Sequence, residues 1–158
     1  MSRGGTRAVD FLREAGIDFT MHEYEMGDIE SSYGAAVADG LGVSRDRVFK
    51  TLVARVDGQP VVAIVPVSGR LSLKALAREA KGKRAVMAEA ADAERLTGYV
   101  VGGISPFGQS RRLPTVVDEG VLAHATIFVS AGRRGLQLEL APDDLIRVLD
   151  GRVAPLGG

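Results

Sequence analysis

Two apolar runs, residues 48–56 and 60–67, meet at Asp57-Gly58, and this pair constrains the fold more than any other stretch. Each run is rich in β-branched residues, and Asp-Gly supplies the positive-φ positions that a tight hairpin turn requires. A hairpin this long commits the chain to a core built on a sheet. The second run opens on Pro60, where a missing N–H is tolerated at a strand start.

The remaining elements fit around that hairpin. Thr6 caps a helix with Ala8, Phe11, Leu12 and Ala15 on its apolar stripe and Gly16 at its end. Ile17, Phe19 and Met21 alternate with Asp18, Thr20 and His22, as in a half-buried strand. Ser32 caps a second helix carrying Tyr33, Val37 and Leu41, and Gly42 closes it. Leu73, Leu76, Ala77 and Ala80 mark a third helix, and a weaker one covers 89–97. Short strands are predicted at 99–101, 115–118 and 126–130. After the turn Gly132-Arg133-Arg134-Gly135, Leu136, Leu138 and Leu140 alternate with Gln137 and Glu139 in another strand. Pro142, with Asp143 and Asp144 behind it, opens a last helix that stops near Gly151. No repeat or linker divides the 158 residues, so one domain spanning 1–158 is expected. The mixed order predicts an α+β fold with a mixed, strongly curved, barrel-like sheet flanked by helices.

Composition removes whole classes of chemistry. The chain has no cysteine, which excludes disulfides, thiolate metal sites and a cysteine nucleophile within it. Twenty basic residues balance twenty acidic ones, so long-range attraction for a polyanion is weak. A nucleic-acid ligand would be touched over a small area or gripped with help from a partner. No run is apolar enough for a membrane span, and the charged segment 1–16 does not read as a signal peptide. A cytoplasmic protein with no membrane partner is expected.

The run Val100-Val101-Gly102-Gly103-Ile104-Ser105-Pro106-Phe107-Gly108 suggests a bare backbone that can approach a small polar group or a developing oxyanion. It is not a P-loop. Gln109 stands where the lysine belongs, and Pro106 removes an N–H from the would-be cradle. Lys50 shares a strand face with Val48, Leu52, Ala54 and Val56, so its ammonium either serves a site or snorkels to water at the sheet edge. His22 and Tyr24 share a face and can reach one pocket. The acidic string Glu23, Glu25, Asp28 and Glu30 lacks the spacing of an oxygen-ligand loop and reads as a solvated face. Ser130 has no acid–histidine pair set around it in sequence. Arg133 and Arg134 read as a solvated turn, with a phosphate contact as the alternative.

In order, the chain carries His22-x-Tyr24, Ser32-Tyr33-Gly34, Val48-Phe49-Lys50-Thr51-Leu52, Leu73-x-x-Leu76-Ala77, the glycine run just described and Ser130-Ala131-Gly132-Arg133-Arg134-Gly135-Leu136. This resembles the YbaK family of Cys-tRNA(Pro)/Cys-tRNA(Cys) deacylases, relatives of the editing domain of bacterial prolyl-tRNA synthetases. The resemblance implies hydrolysis of the ester joining a wrong amino acid to the tRNA 3′ end. It implies the substrate's own cysteine thiol as nucleophile, with the protein supplying positioning and charge. Carried over, Lys50 matches the family's essential lysine, and Tyr24, Gly102 and Ser130 match residues around its pocket. The candidate site is then Lys50, Gly102 and Gly103 for catalysis, with Tyr24, His22, Ile104, Ser105, Pro106 and Ser130 for substrate binding. No metal and no cofactor are expected. The implied partners are the acceptor 3′ end of aminoacyl-tRNA and a prolyl-tRNA synthetase. One departure is visible: Met26-Gly27-Asp28 follows the His-x-Tyr motif where the family often has a second histidine and Asp-Pro. Removal of alanine or another small residue, and non-catalytic binding of a nucleotide or tRNA 3′ end, stand as alternatives.

Overall fold

The hairpin lies at the centre of the structure. In the computed structural model, which describes residues 6–24 and 33–157, strands β2 (Phe49–Val56) and β3 (Gln59–Pro66) pair along their full length. Asp57 and Gly58 both take positive φ, 50° and 85°, which matches the turn to the right-handed twist of its strands.

Around the hairpin the chain adds α1 (Arg7–Glu14), β1 (Thr20–Glu23) and α2 (Tyr33–Leu41) before it. After it come α3 (Leu73–Glu79), β4 (Ala85–Met87), α4 (Ala90–Thr97), β5 (Thr115–Asp118), β6 (Ile127–Ser130), β7 (Leu136–Leu140), α5 (Pro142–Leu149) and β8 (Arg152–Ala154). The strands form two sheets. One is five-stranded and mixed, in the order β4-β2-β3-β5-β8, with β5 parallel to both β3 and β8. The other is antiparallel, in the order β1-β7-β6. A parallel bridge between Val48 and Phe128 joins them at the start of β2. The expected α+β architecture is therefore present, its mixed sheet built as two leaves on a shared core.

That core takes Phe49, Val53 and Ile64 from the hairpin, Leu136 and Leu138 from β7, and Leu12, Leu96 and Leu145 from the helices. Each large side chain fully removed from water contributes roughly 1.5–3 kcal/mol. Thr6 caps α1 by accepting from the Val9 N–H at 3.2 Å, and its hydroxyl donates to the Ala131 carbonyl, tying the helix to the end of β6. Helix α4 is clamped to β2 by a bidentate pair: Arg55 Nε donates to Asp92 Oδ2 at 2.7 Å and Nη2 to Oδ1 at 3.0 Å. The Arg55 hydrogen bond, aided by Arg95, holds the Asp92 carboxyl down at about 2.

One reading of the sequence changes, two strands are added to it, and part of it falls outside the described residues. Residues 99–101 are a turn and not a strand. Gly98 ends α4 in the left-handed region, the Gly103 N–H donates to the Val100 carbonyl at 2.9 Å, and no strand lies alongside. Strands β4 and β8 escape the pattern because three residues are too few to show alternation. The Ser32 cap, the Met26-Gly27-Asp28 loop, and Glu25, Asp28 and Glu30 of the acidic string lie outside the described residues. Among the described residues, no helix is long and apolar enough to cross a membrane, and no cluster of His, Asp or Glu is placed to hold a metal ion.

The important consequence for a site is at the outer edge of β2. Strand β4 pairs only with Ala54, Arg55 and Val56, and the Ala88 N–H reaches the Val53 carbonyl at 3.0 Å. Among the described residues, no further strand borders that edge until the bridge at Val48.

Candidate active site

A cavity of about 440 Å³ opens at this uncovered edge, within the size range of small-molecule sites. Alternation along β2 gives it two ends. Val48, Lys50 and Leu52 face one way, towards Val37 and Val67, whereas Phe49, Thr51 and Val53 face the other, towards Ala93 and Ile104. Ser130 and Gln137 enter from the second sheet, where they stand opposite each other in the β6–β7 ladder. The register explains why Lys50 meets them: two residues beyond the Val48–Phe128 bridge stand Lys50 on one strand and Ser130 on the other.

Lys50 is half-buried and makes no hydrogen bond or ion pair with any described residue. Among the described residues, no carboxylate lines the cavity. Burial, with a smaller contribution from the charge of Arg70, lowers the pKa of its ammonium from the usual lysine value. An uncompensated cation among apolar walls is a ready partner for a phosphate, an ester oxygen or an oxyanion.

The glycine run forms the opposite wall. Gly102 has φ +94°, where a side chain would be strained, and a Cβ there would also crowd the Arg134 guanidinium, 2.5 Å from Nε. Arg134 in turn donates from Nη2 to the Val101 carbonyl at 3.3 Å. The arginine turn is thus docked on the glycine loop. The Val101 N–H is taken by Glu94 Oε2 at 2.8 Å and the Gly103 N–H by Val100. The Gly102 N–H has no acceptor among the described residues, which leaves it as the loop's available donor.

Two polar groups in the cavity are buried and unpartnered. Thr51 is 7% exposed and Gln137 3%, and neither Thr51 Oγ1 nor Gln137 Oε1 has a hydrogen-bond partner among the described residues. Leaving such a group unmade costs about 1–3 kcal/mol. Ser130 Oγ, by contrast, accepts from the Gly132 N–H at 3.1 Å. No histidine lines the cavity. His22 Nε2 instead donates to Glu139 Oε1 at 2.8 Å, in a cluster completed by Arg47 and Thr126. Among the described residues, no histidine or carboxylate therefore stands beside either hydroxyl, and no histidine-activated nucleophile is formed there.

Of the residues selected from sequence, Lys50, Gly102, Ile104 and Ser130 converge on the cavity. The others sit around it. Gly103 packs against the Arg133 backbone, where a Cβ would be 3.0 Å from Cα. Tyr24 packs on the cluster of Val37, Ala38, Val48 and Phe128, and its N–H donates to the Gly135 carbonyl at 3.1 Å. Ser105 is fully buried, its Oγ accepting from the Phe107 N–H at 3.3 Å. Pro106 faces a second depression of about 300 Å³ shared with Phe11, Arg111 and Arg112. Sequence reasoning missed Thr51 and Gln137. Thr51 adjoins the lysine and looks like an ordinary strand residue, and Gln137 alternates with leucines as a solvent-facing residue would.

A sequence profile of the aminoacyl-tRNA editing domain matches residues 30–148. The chain is 40% identical over 136 residues, 85% of its length and 83% of the relative's, to an Enterococcus faecalis protein provisionally named Cys-tRNA(Pro)/Cys-tRNA(Cys) deacylase EbsC. It is 33% identical over 117 residues, 71% of its length and 67% of the relative's, to the multifunctional Ser/Thr-tRNA deacylase ProXp-y of Escherichia coli K12. The fold superimposes on a crystal structure provisionally described as a trans-editing enzyme for prolyl-tRNA synthetase, with a TM-score of 0.82 at 21% identity over 96% of this chain and 95% of the other.

Proposed function

Within the aminoacyl-tRNA editing domain family, to which this chain belongs, we propose that the protein is a freestanding deacylase that removes cysteine from mischarged tRNA(Pro). The observation that carries this reading is Lys50, a half-buried cation with no carboxylate partner among the described residues, in a cavity whose described lining sets no histidine or carboxylate base beside a hydroxyl. Such a site binds and orients an ester, and the attacking group comes from elsewhere. The substrate thiol is that group. Its sulfur bonds to the ester carbonyl carbon, the bond from that carbon to the ribose oxygen breaks, and the thiol proton ends on the departing ribose hydroxyl. Water then opens the cyclic thioester. Lys50 orients the terminal adenosine through a phosphate or hydroxyl, and the Gly102 N–H faces the developing oxyanion. Orientation of this kind is worth roughly 7–11 kcal/mol.

Deacylation of tRNA(Pro) charged with cysteine, serine or alanine tests the reading. Cysteine should be released fastest, and serine, which differs by one atom, far more slowly. Equal rates for cysteine and serine would rule out thiol attack and leave an activated water. Binding without turnover of any ester would make the protein a tRNA 3′-end binding module. The chain carries no net charge, so affinity for tRNA alone is weak and a prolyl-tRNA synthetase supplies the remaining grip. Adding the synthetase to the same assay should lower KM, and an unchanged KM would remove it as a partner.

A further inference from the structure

We infer that Thr51 is the specificity-determining residue for the side chain of the aminoacyl group, its hydroxyl taking the thiol or hydroxyl of a small polar residue and so disfavouring alanine. This rests on the deacylase reading above and goes beyond it by assigning the amino-acid end of the cavity. The two faces of β2 divide the space. Lys50 shares its face with Val48 and Leu52 and meets Ser130 and Gln137, the polar end suited to the terminal nucleoside. Thr51 lies on the other face with Phe49 and Val53, and pairs across the hairpin with Ile64 of the main core. The cavity residues at that end are small and apolar: Ala88, Ala90, Ala93 and Ile104. They leave room for a short side chain and offer it no polar partner of their own. Thr51 Oγ1 is the one side-chain polar atom on that face of β2 lining the cavity, and it is buried without a hydrogen bond to any described residue.

A hydroxyl in that state destabilises the empty protein and is satisfied by a ligand that brings its own donor or acceptor. A thiol or hydroxyl on the β-carbon of the substrate does so. The methyl of alanine does not, and its binding would leave the Thr51 hydroxyl buried and unpaired. Rejection of a substrate lacking the matching group, through a polar group left unmade, is a general and strong source of selectivity. Gly102 and Lys50 touch parts common to every aminoacyl ester and cannot supply it.

The test is Thr51→Val, which keeps the shape and removes the hydroxyl. Rates are measured on tRNA(Pro) charged with serine, cysteine or alanine. Equilibrium binding is measured with hydrolysis-resistant seryl and alanyl amides of 3′-amino-3′-deoxyadenosine. The variant should lose about tenfold in kcat/KM on the seryl and cysteinyl esters, with less than a twofold change on the alanyl ester. The seryl-over-alanyl binding ratio should fall by the same factor. Melting temperature should rise by ~2–4 °C, since an unpaired hydroxyl has been removed. An equal loss on all three esters, an unchanged binding ratio or a lower melting temperature would each overturn the assignment. The amides keep it falsifiable independently of catalysis. A wild-type protein that hydrolyses no ester yet prefers the seryl amide, with the preference lost in Thr51→Val, would refute the deacylase reading and uphold the role of Thr51.

Discussion

Gln137 and Glu139 stand two residues apart on the same face of β7, and the structure treats them in opposite ways. Glu139 is saturated: His22 donates at 2.8 Å and Arg47 at 3.3 Å, and the Thr126 hydroxyl completes the set. Gln137 is more deeply buried and has no partner for its carbonyl oxygen among the described residues. The same contrast holds between the two cations on this side of the molecule. Arg47 donates to Thr126 and Glu139 and stacks over Phe128, its carbon 5.0 Å from the ring centre. Lys50, three residues on, has neither ion pair nor hydrogen bond among the described residues. Polar groups that serve the fold are paired within it, and those left unpaired gather in one cavity. The first set stabilises, and the second waits for a ligand.

The largest effect should come from Lys50→Met, which keeps most of the apolar stem and removes the charge. Deacylation should fall by about 100-fold, as when one preorganised charge-stabilising group is lost. The protein should melt at a slightly higher temperature at pH 7. The sign follows from the pKa of Lys50, which burial lowers. The folded state holds that proton less tightly than the unfolded chain, so carrying the charge at neutral pH is a cost that the variant lacks. The advantage should fade as pH rises through the lowered value towards 10.5, the ordinary lysine value. Rates and melting curves from pH 6 to 10 check both halves. A variant with near wild-type activity would remove Lys50 from the site and with it the contrast to Arg47.

Glu139→Gln probes the paired set and should act on stability alone. The variant should lose roughly 1–2 kcal/mol at pH 7, because a carboxylate accepting from three donors becomes an amide that suits fewer of them. Activity should change by less than threefold. The Thr126 hydroxyl first, then His22 and Arg47, lower the pKa of Glu139 below its ordinary 4.5. Its stabilisation is therefore fully present above that value and is lost as pH falls through the lowered one. Wild-type and variant melting temperatures should converge in acid. A large loss of activity with an unchanged melting temperature would place Glu139 in the site and break the division between the two sets.

How much of this was legible in the sequence depended on the range of the interactions. The hairpin, α1, α3 and α5 could be read because alternation, caps and an Asp-Gly turn are local signals. Lys50 stood out because a lysine on an apolar face violates a local rule, and Gly102 because two adjacent glycines follow an apolar pair. Val100 and Val101 misled for the complementary reason: they look like a strand, yet no neighbouring strand reaches them, and they stay 60% and 44% exposed beside the cavity. Thr51 and Gln137 broke no local rule at all. Their significance appears only where two sheets meet at a single bridge and leave the edge of β2 uncovered, which no spacing in the chain encodes.

The smallest effect, and the sharpest use of the comparison, is Gln137→Met. Methionine has nearly the same length and volume and no hydrogen-bonding demand, so the burial cost of an unpaired carboxamide disappears. Stability should rise by up to about 1 kcal/mol, or ~2–4 °C in melting temperature for a chain of this size. The KM for the charged tRNA should rise several-fold, as the ligand loses a partner at the Lys50 end of the cavity. The direction matters more than the size. Glu139→Gln should lower the melting temperature and Gln137→Met should raise it, although the residues lie two positions apart on one strand. If both variants melt lower, Gln137 has a structural partner in solution, and only Lys50 and Thr51 remain as the cavity's unpaired side chains.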